Sequence, residues 1–431
     1  MASRLAACVR PWPAGRLPLT RVSHGQCRQV AWPYMVQMRG ALSSSADSEV
    51  TTDATFRYSS FSWRTSAGER YPYEYIVAQQ PAGGGTARNA LVALEESLPG
   101  PASGWTVVLI PSVSLVCSGK EEMRPLATLL SQRGHRCYIL EWPGWTQHVQ
   151  TNWALERCKT EHLAEEYQDF WCQALEHVAQ RELAEAHGQA EKSEAKARKL
   201  CIVAAGSASV YALRAVKALQ DFVPEEKSQA IPELRYDSLV MLAPSWRAER
   251  RQGWLSRLSP DRAAYWMGAL LHTDSRVGRI FRRSYFGKKN LQRHFFHAGA
   301  PDGNEERLLQ LASWFFQRPR PYAQTDAAIA YGFLDPPGID SVDGLAAEII
   351  TQPFRRRVLL LSPESESQSG AQSTSLWTAL EAGLQSTKSV ERRFVPSKSP
   401  LPHEVATSAV QFAVDQWLQE NASADAATPL P

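Results

Sequence analysis

Three short segments of the sequence hold side chains of the types that carry out nucleophilic catalysis. Ser207 lies in the small-residue run Ala-Ala-Gly-Ser-Ala-Ser, and His403 lies in the run Pro-Leu-Pro-His-Glu-Val. Glu364 and Glu366 follow an apolar run upstream of that histidine. A hydroxyl nucleophile, an imidazole base and a carboxylate behind the base are the groups of acyl transfer. Each also has a structural use: the serine as a helix N-cap, the histidine near a helix start, and the glutamates as loop charges.

Short apolar runs alternate with segments of helical spacing, and these elements must position the three groups. The predicted buried strands are Trp105–Ile110, Arg136–Leu140, Leu200–Ala205, Ser238–Ala243, Val358–Leu361 and Arg393–Val395, after two aromatic-rich strands at Phe56–Arg64 and Tyr71–Val77. The predicted helices cover 120–133, much of 153–199, 210–219, 374–384 and 405–418. This alternation indicates a parallel sheet covered by helices on both faces. The polar half of the second helix, 180–199, predicts a solvated helix or a flexible insertion.

The order of these elements resembles that of the α/β-hydrolase superfamily, with an insertion after the fourth apolar strand and a histidine before the last helix. The best-matching block begins at Leu109 as Leu-Ile-Pro-Ser-Val-Ser and continues through Arg133-Gly134-His135 to the turn Glu141-Trp-Pro-Gly144. The sequence of this block looks most like that of a plastid and cyanobacterial-type branch of hydrolase-like proteins. The resemblance spans residues 56–419 and implies an α/β class: a mostly parallel central sheet, flanking helices and a helical cap insertion.

In this family the nucleophile sits on a sharp turn between a strand and a helix, within the motif Gly-x-Ser-x-Gly. Here the turn follows Leu200–Ala205, and two registers compete. In one, Ala204 and Ala208 are the flanking small residues and Gly206 takes the nucleophile position; in the other, Ser207 takes it. The first register fits the spacing better, and glycine adopts a strained backbone without penalty. We therefore predict that Gly206 has a positive φ, and that Ser207 begins the helix with its hydroxyl directed to the backbone.

The resemblance also implies the remaining parts of such a site. It gives His403 the role of general base, and it gives Glu364 or Glu366 the role of the acid that orients the base. Ser112 and Val113 stand in the oxyanion loop, where the family often has His-Gly, and backbone N–H groups could serve there without a particular side chain.

Composition limits the other functional classes. The net charge of +3 and the lack of a recognisable module give no case for nucleic-acid binding. The seven cysteines are scattered without zinc-like spacing, so we expect neither a metal nor a cofactor. No apolar run is long enough to predict a transmembrane helix.

The first 46 residues predict import into an organelle. They carry six arginines and no acidic residue, and they end in three serines before Asp47. An Arg-rich, acid-free, Ser-containing leader is typical of a transit peptide. The run Arg39-Gly-Ala-Leu-Ser43 resembles a mitochondrial processing region, which favours a mitochondrial location; a plastid is the alternative.

The insertion carries a concentrated positive charge. Residues 246–300 hold twelve Arg or Lys, three Asp or Glu and interleaved aromatic residues. A cap with a solvated basic face is one interpretation. Docking on an anionic membrane surface or on a protein complex is the other.

These observations divide the chain and leave three functions open. The predicted parts are a transit peptide (1–46), a linker (47–55), the first part of the core (56–244), the basic cap (245–350), the last part of the core (351–420) and a disordered tail (421–431). One function is that of a catalytically degenerate protein, which binds a small molecule or acts as an interaction subunit of an organellar complex. The second is that of a serine hydrolase, which cleaves an acyl ester with Ser207 and His403. The third is that of a membrane-surface protein, which works through its basic cap.

Overall fold

The structure is a computed structural model. It describes residues 55–65, 68, 70–79, 105–112, 120–143, 163–190, 199–221, 236–244, 357–364, 378, 380–382, 390–397 and 402–427, all within one compact unit, Thr52–Pro431. The predicted transit peptide and cap lie outside the described residues. So does the predicted linker, except for Thr55, which begins the first strand.

The described strands form one eight-stranded sheet. They are β1 (Thr55–Arg64), β2 (Arg70–Gln79), β3 (Thr106–Ile110), β4 (Arg136–Ile139), β5 (Leu200–Ala205), β6 (Tyr236–Leu242), β7 (Arg357–Pro363) and β8 (Val390–Val395). Their order across the sheet is β1-β2-β4-β3-β5-β6-β7-β8. β2 runs antiparallel to both of its neighbours, and the other adjacent pairs are parallel. The predicted mostly parallel sheet is confirmed.

Helices cover both faces of this sheet. Those that concern the site are α1 (Lys120–Gln132), α2 (Leu163–Ala190), α3 (Ala208–Asp221), α4 (Pro402–Val405) and α5 (Thr407–Ala427). α2 and α3 contribute to the core on one face, and α1 and α5 to the core on the other. None of the described helices is both long and apolar enough to cross a membrane.

The continuous apolar runs follow from this double cover. In β3, Val108 and Ile110 pack into the core with α2 and α3, whereas Val107 and Leu109 pack into the core with α1 and α5. Successive side chains of a strand point to opposite faces, so both alternating sets must be apolar when both faces are buried.

α1 ends where the sequence predicts. Gly134 has a φ of 88°, the left-handed conformation that glycine adopts freely. The N–H of His135 donates to the carbonyl of Leu130 at 3.2 Å, and the N–H of Gly134 donates to Ser131 at 2.9 Å. These bonds satisfy carbonyls at the end of the helix and turn the chain directly into β4.

The polar half of α2 is more buried than expected. Glu182 is 7% exposed and accepts hydrogen bonds from Thr106 Oγ1 at 2.7 Å, Tyr138 Oη at 2.5 Å and Arg136 Nη1 at 2.9 Å. The prediction of a solvated or flexible segment is therefore wrong at Glu182, which is buried and paired with Arg136 of β4, whereas Ala184 is exposed and Arg181 and Glu185 are partly exposed. Residues 191–198 lie outside the described part.

The C-terminal helix is longer than predicted. α5 continues to Ala427 through residues that we expected to be disordered. Arg357 Nη1 donates to the side-chain oxygen of Asn421 at 2.8 Å and to its carbonyl at 3.1 Å. This anchor to β7 holds the helix at Asn421, and the alanine-rich sequence beyond it favours continuation.

Candidate functional site

The candidate residues lie where the parallel strands end. Ile110 of β3 pairs with Ala204 of β5, so Ser112 and Gly206 each lie two residues beyond this pair on adjacent strands. The carboxyl edge of an open parallel sheet is where such folds bind ligands. The side chains at this edge are therefore the candidates for a ligand site.

The turn after β5 has the strained geometry of a nucleophile elbow, with glycine at its tip. Gly206 has a φ of 56°, so the prediction for this residue is confirmed. Its N–H donates to the carbonyl of Leu242 at 2.8 Å, which fixes the turn against the end of β6. Among the described residues, Ala243 is the only non-glycine residue with a positive φ, and Ser207 is therefore not at the strained position.

Ser207 lies between the tip and the helix. It is partly buried, and α3 begins one residue later, at Ala208. The hydroxyl that bonds to the backbone belongs to a neighbour, Ser209, whose Oγ donates to the carbonyl of Ala204 at 2.8 Å. The N–H of Ser209 also donates to the carbonyl of Gly206 at 3.2 Å. The small-residue run thus fixes the turn with Ser209, which was not singled out from the sequence.

His403 lies within hydrogen-bonding distance of a buried acid that sequence reasoning missed. The residue is Glu122 in the first turn of α1, and the distance from His403 Nε2 to Glu122 Oε1 is 2.6 Å. The side chains are 1% and 0% exposed. The two residues are separated by 281 positions in the chain, so this contact ties the C-terminal segment to the helix after β3.

The same carboxylate oxygen of Glu122 accepts two hydrogen bonds from the candidate oxyanion loop. Ser112 donates to Glu122 Oε1 from its backbone N–H at 3.0 Å and from its Oγ at 2.9 Å. The protein's own carboxylate thus accepts this N–H in the structure, and its role toward a substrate oxyanion stays a prediction. Val113, the other candidate in this loop, lies outside the described residues.

The acid that contacts Nε2 of His403 is neither of the two predicted glutamates. Glu364 is exposed at the end of β7, and Glu366 lies outside the described residues. The carboxylate within hydrogen-bonding distance of Nε2 is that of Glu122 on α1. The role predicted for Glu366 stays a prediction.

A sequence signal for Glu122 was present. The apolar residues Met123, Leu126 and Leu130 of α1 are all fully buried, and Glu122 precedes Leu126 by one helical turn. An acid on the apolar face of a helix must find partners in the core. That pattern distinguishes Glu122 from an ordinary helix-start glutamate.

The turn after β4 is fixed beside this edge. Trp142 Nε1 donates to the carbonyl of Pro111 at 2.8 Å, and its ring makes edge contacts with Tyr167, Trp171 and Tyr211 at centroid distances of 5.1, 5.0 and 5.1 Å. The residue before Ser112 is therefore held by a buried aromatic cluster. This cluster fixes the backbone at Pro111, where the loop begins.

The buried pair of Glu122 and His403 has two polar atoms that form no hydrogen bond within the described residues. Within the part of the chain that the structure describes, Glu122 Oε2 and His403 Nδ1 have no hydrogen-bond partner. Buried polar atoms without partners are costly and are often found where a ligand or water binds. No group of three or more metal-binding side chains occurs among the described residues.

A second buried histidine–acid pair lies at the opposite edge of the sheet. His135 precedes β4; its Nε2 is 3.0 Å from Asp415 Oδ1, and its Nδ1 accepts the N–H of Trp105 at 3.1 Å. Arg133 Nε lies 3.8 Å from the other oxygen of Asp415. Both nitrogens of this ring are therefore used within the protein.

Comparison with known proteins places these features in a structural context. No protein-family model matches the sequence, and no curated protein matches it either. Among solved structures, the chain is similar to the peroxisomal alpha-beta-hydrolase Lpx1 from Saccharomyces cerevisiae, with 12% identity, a TM-score of 0.49, and coverage of 88% of this chain and 91% of that one. It is also similar to a haloalkane dehalogenase variant from Bradyrhizobium elkanii, with 11% identity, a TM-score of 0.49, and coverage of 86% and 100%.

A third similar structure is MenH from S. aureus, with 10% identity, a TM-score of 0.42, and coverage of 74% of this chain and 95% of that one. The fold of the chain itself rests on its own topology: the strand order, the antiparallel β2, the strained turn from β5 into α3, and a histidine before the last helix. This arrangement is that of the α/β-hydrolase fold.

Proposed function

We propose that the protein is a catalytically degenerate α/β-hydrolase-fold protein of an organelle, and that it binds a small acyl or ester ligand at the carboxyl edge of its sheet. The single observation that carries the proposal is Gly206 at the tip of the elbow, with its φ of 56°. The strained tip is the position from which a hydrolase of this fold presents its nucleophile. Glycine has no side chain to present.

The state of the oxyanion loop supports the same function. A serine hydrolase stabilises its tetrahedral intermediate with free N–H donors, and removing one such donor costs about 10²–10³-fold in rate. Here the candidate donor of Ser112 is bonded to Glu122 at 3.0 Å. A missing nucleophile and an occupied donor both disfavour acyl transfer.

The retained histidine supports binding. His403 is 1% exposed, and its ring is fixed through Nε2, while Nδ1 has no partner in the described part of the chain. A fixed imidazole with one open nitrogen can hydrogen-bond to a polar group of a ligand. The organellar location rests on the acid-free arginine series in residues 1–46.

Labelling with a fluorophosphonate probe tests this function, because the probe reacts with activated serines. We expect no labelling of the purified full-length protein under conditions that label an active serine hydrolase in a parallel sample. The matched variant Ser207→Ala must give the same blank result. Labelling that maps to Ser207 and is lost in this variant would show a working serine hydrolase and overturn the proposal.

A further inference from the structure

Three hydrogen-bond donors converge on one oxygen beside the elbow. Ser112 N–H, Ser112 Oγ–H and His403 Nε2 lie 3.0, 2.9 and 2.6 Å from Glu122 Oε1. Donors of an oxyanion hole lie about 2.7–3.1 Å from the oxygen that they stabilise. The observed distances are close to that range, and the oxygen at the centre belongs to the protein.

This cluster of donors lies at the place where an oxyanion site would be needed. Ser112 and Gly206 occupy matching positions two residues beyond the paired residues Ile110 and Ala204. The carbonyl of Pro111 is held by Trp142 Nε1 at 2.8 Å, so the backbone before the Ser112 N–H is fixed. The Ser112 N–H is therefore preorganised, and it does not depend on Glu122 alone for its placement.

We propose that Ser112 and His403 form an oxyanion-binding site which the protein fills with its own Glu122 carboxylate, and that a small monocarboxylate takes this site when the carboxylate of Glu122 is removed. The inference rests on the proposed function, since it explains how the hydrolase site is closed. It adds a defined anion site and the chemical class that the site accepts.

The burial of Glu122 supports an oxygen-specific site. The side chain is fully buried, and a buried carboxylate persists only where donors compensate for its lost hydration. Ser112 and His403 contact Oε1 of this carboxylate, whereas Oε2 has no partner among the described residues. The site thus binds a single oxygen, which formate or acetate could supply.

Chemical rescue of a cavity variant tests the proposal. Glu122→Ala removes the carboxylate and leaves the donors around a small cavity. We expect its Tm to rise with the logarithm of formate or acetate concentration, as for any ligand that binds only the folded state. Sodium chloride at equal ionic strength should not reproduce the rise, and the wild type should not respond.

Two matched variants serve as controls. Leu126→Ala creates a cavity on the same helix, one turn away and without donors, so formate should not stabilise it beyond the effect of salt. Glu122→Gln keeps the volume filled and should not respond either. Equal stabilisation of the Glu122→Ala and Leu126→Ala variants, or no response of a folded Glu122→Ala variant, would overturn the proposal.

The wild type decides the question if Glu122→Ala does not fold. In ¹⁵N spectra of the histidine-labelled protein, His403 must show a protonated Nε2 in a hydrogen bond to a carboxylate, and Glu122→Gln must shift this signal. A ring with an unprotonated Nε2 contradicts the proposed site. These outcomes are separate from the function test: fluorophosphonate labelling of Ser207 would refute the degenerate function even if formate binds.

Discussion

Restoring a serine at the elbow should not restore a hydrolase. Gly206→Ser places a hydroxyl at the strained tip, where φ is 56°. For a residue with a Cβ, this left-handed conformation costs roughly 1–2 kcal/mol. For a unit of this size the cost corresponds to a fall in Tm of roughly 1–3 °C. The variant should therefore remain folded and testable.

The expected catalytic gain is small because the oxyanion donors are already used. Ser112 N–H donates to Glu122 at 3.0 Å, and one missing donor lowers the rate about 10²–10³-fold. The Nε2 atom of His403 is also engaged by that carboxylate, at 2.6 Å. The new serine would then lack both a free base nitrogen at this position and its oxyanion donor.

The assay is hydrolysis of p-nitrophenyl acetate together with fluorophosphonate labelling, with Gly206→Ala as the matched control. The alanine variant carries the same backbone strain without the hydroxyl, so its Tm should fall equally. We expect both variants to show background turnover. Efficient hydrolysis and labelling by Gly206→Ser alone, with Glu122 intact, would refute the view that Glu122 closes the site.

Three other predictions concern the groups around the sheet and the N-terminus. Burial, with a smaller contribution from Arg181, lowers the pKa of His177, so the unfolded chain binds more protons than the folded one below about pH 6.5. The free energy of unfolding should therefore fall as the pH drops through that value. Urea titrations at several pH values should show this slope, and His177→Gln should flatten it. Glu182→Gln should lower the free energy of unfolding by about 1.5–3 kcal/mol, because it removes a charged partner of Arg136. The control Glu176→Gln, at an exposed site on the same helix, should lower it by less than about 0.5 kcal/mol. Urea denaturation measures both values. N-terminal sequencing of the mature protein from its organelle should give a start near residue 47, and a start at Met1 or Ala2 would contradict import with cleavage.

Local sequence patterns were sufficient to predict strand β5 and the strained turn that follows it. The apolar run from Leu200 to Ala205 is a strand with these bounds, and Gly206 directly follows it with a positive φ. Such features depend on neighbouring residues, because strand burial and glycine backbone freedom are local properties. His403 was identified in the same way, from its place before the last amphipathic helix.

Pairings across the chain could not be predicted in the same way. Glu122 and His403 are 281 residues apart, and nothing in either local sequence specifies the other as a partner. Sequence reasoning assigned an acid to the segment after β7, where the resemblance placed it, and did not name Glu122. Proximity in space decides which carboxylate contacts the imidazole, and the helix after β3 brings one to Nε2.

The two buried histidine–acid pairs of the described residues differ in whether a ring nitrogen is left without a partner. At the amino-terminal edge of the strands, His135 uses Nε2 toward Asp415 and Nδ1 toward the N–H of Trp105, so the protein satisfies the whole ring. At the carboxyl edge, His403 uses only Nε2, and its Nδ1 has no partner among the described residues. Because an unpaired buried nitrogen is costly for a purely structural residue, the open atom is retained where something else can bind it. His135 therefore belongs to the packing of the fold, while His403 is the buried histidine that the ligand site proposed above would use.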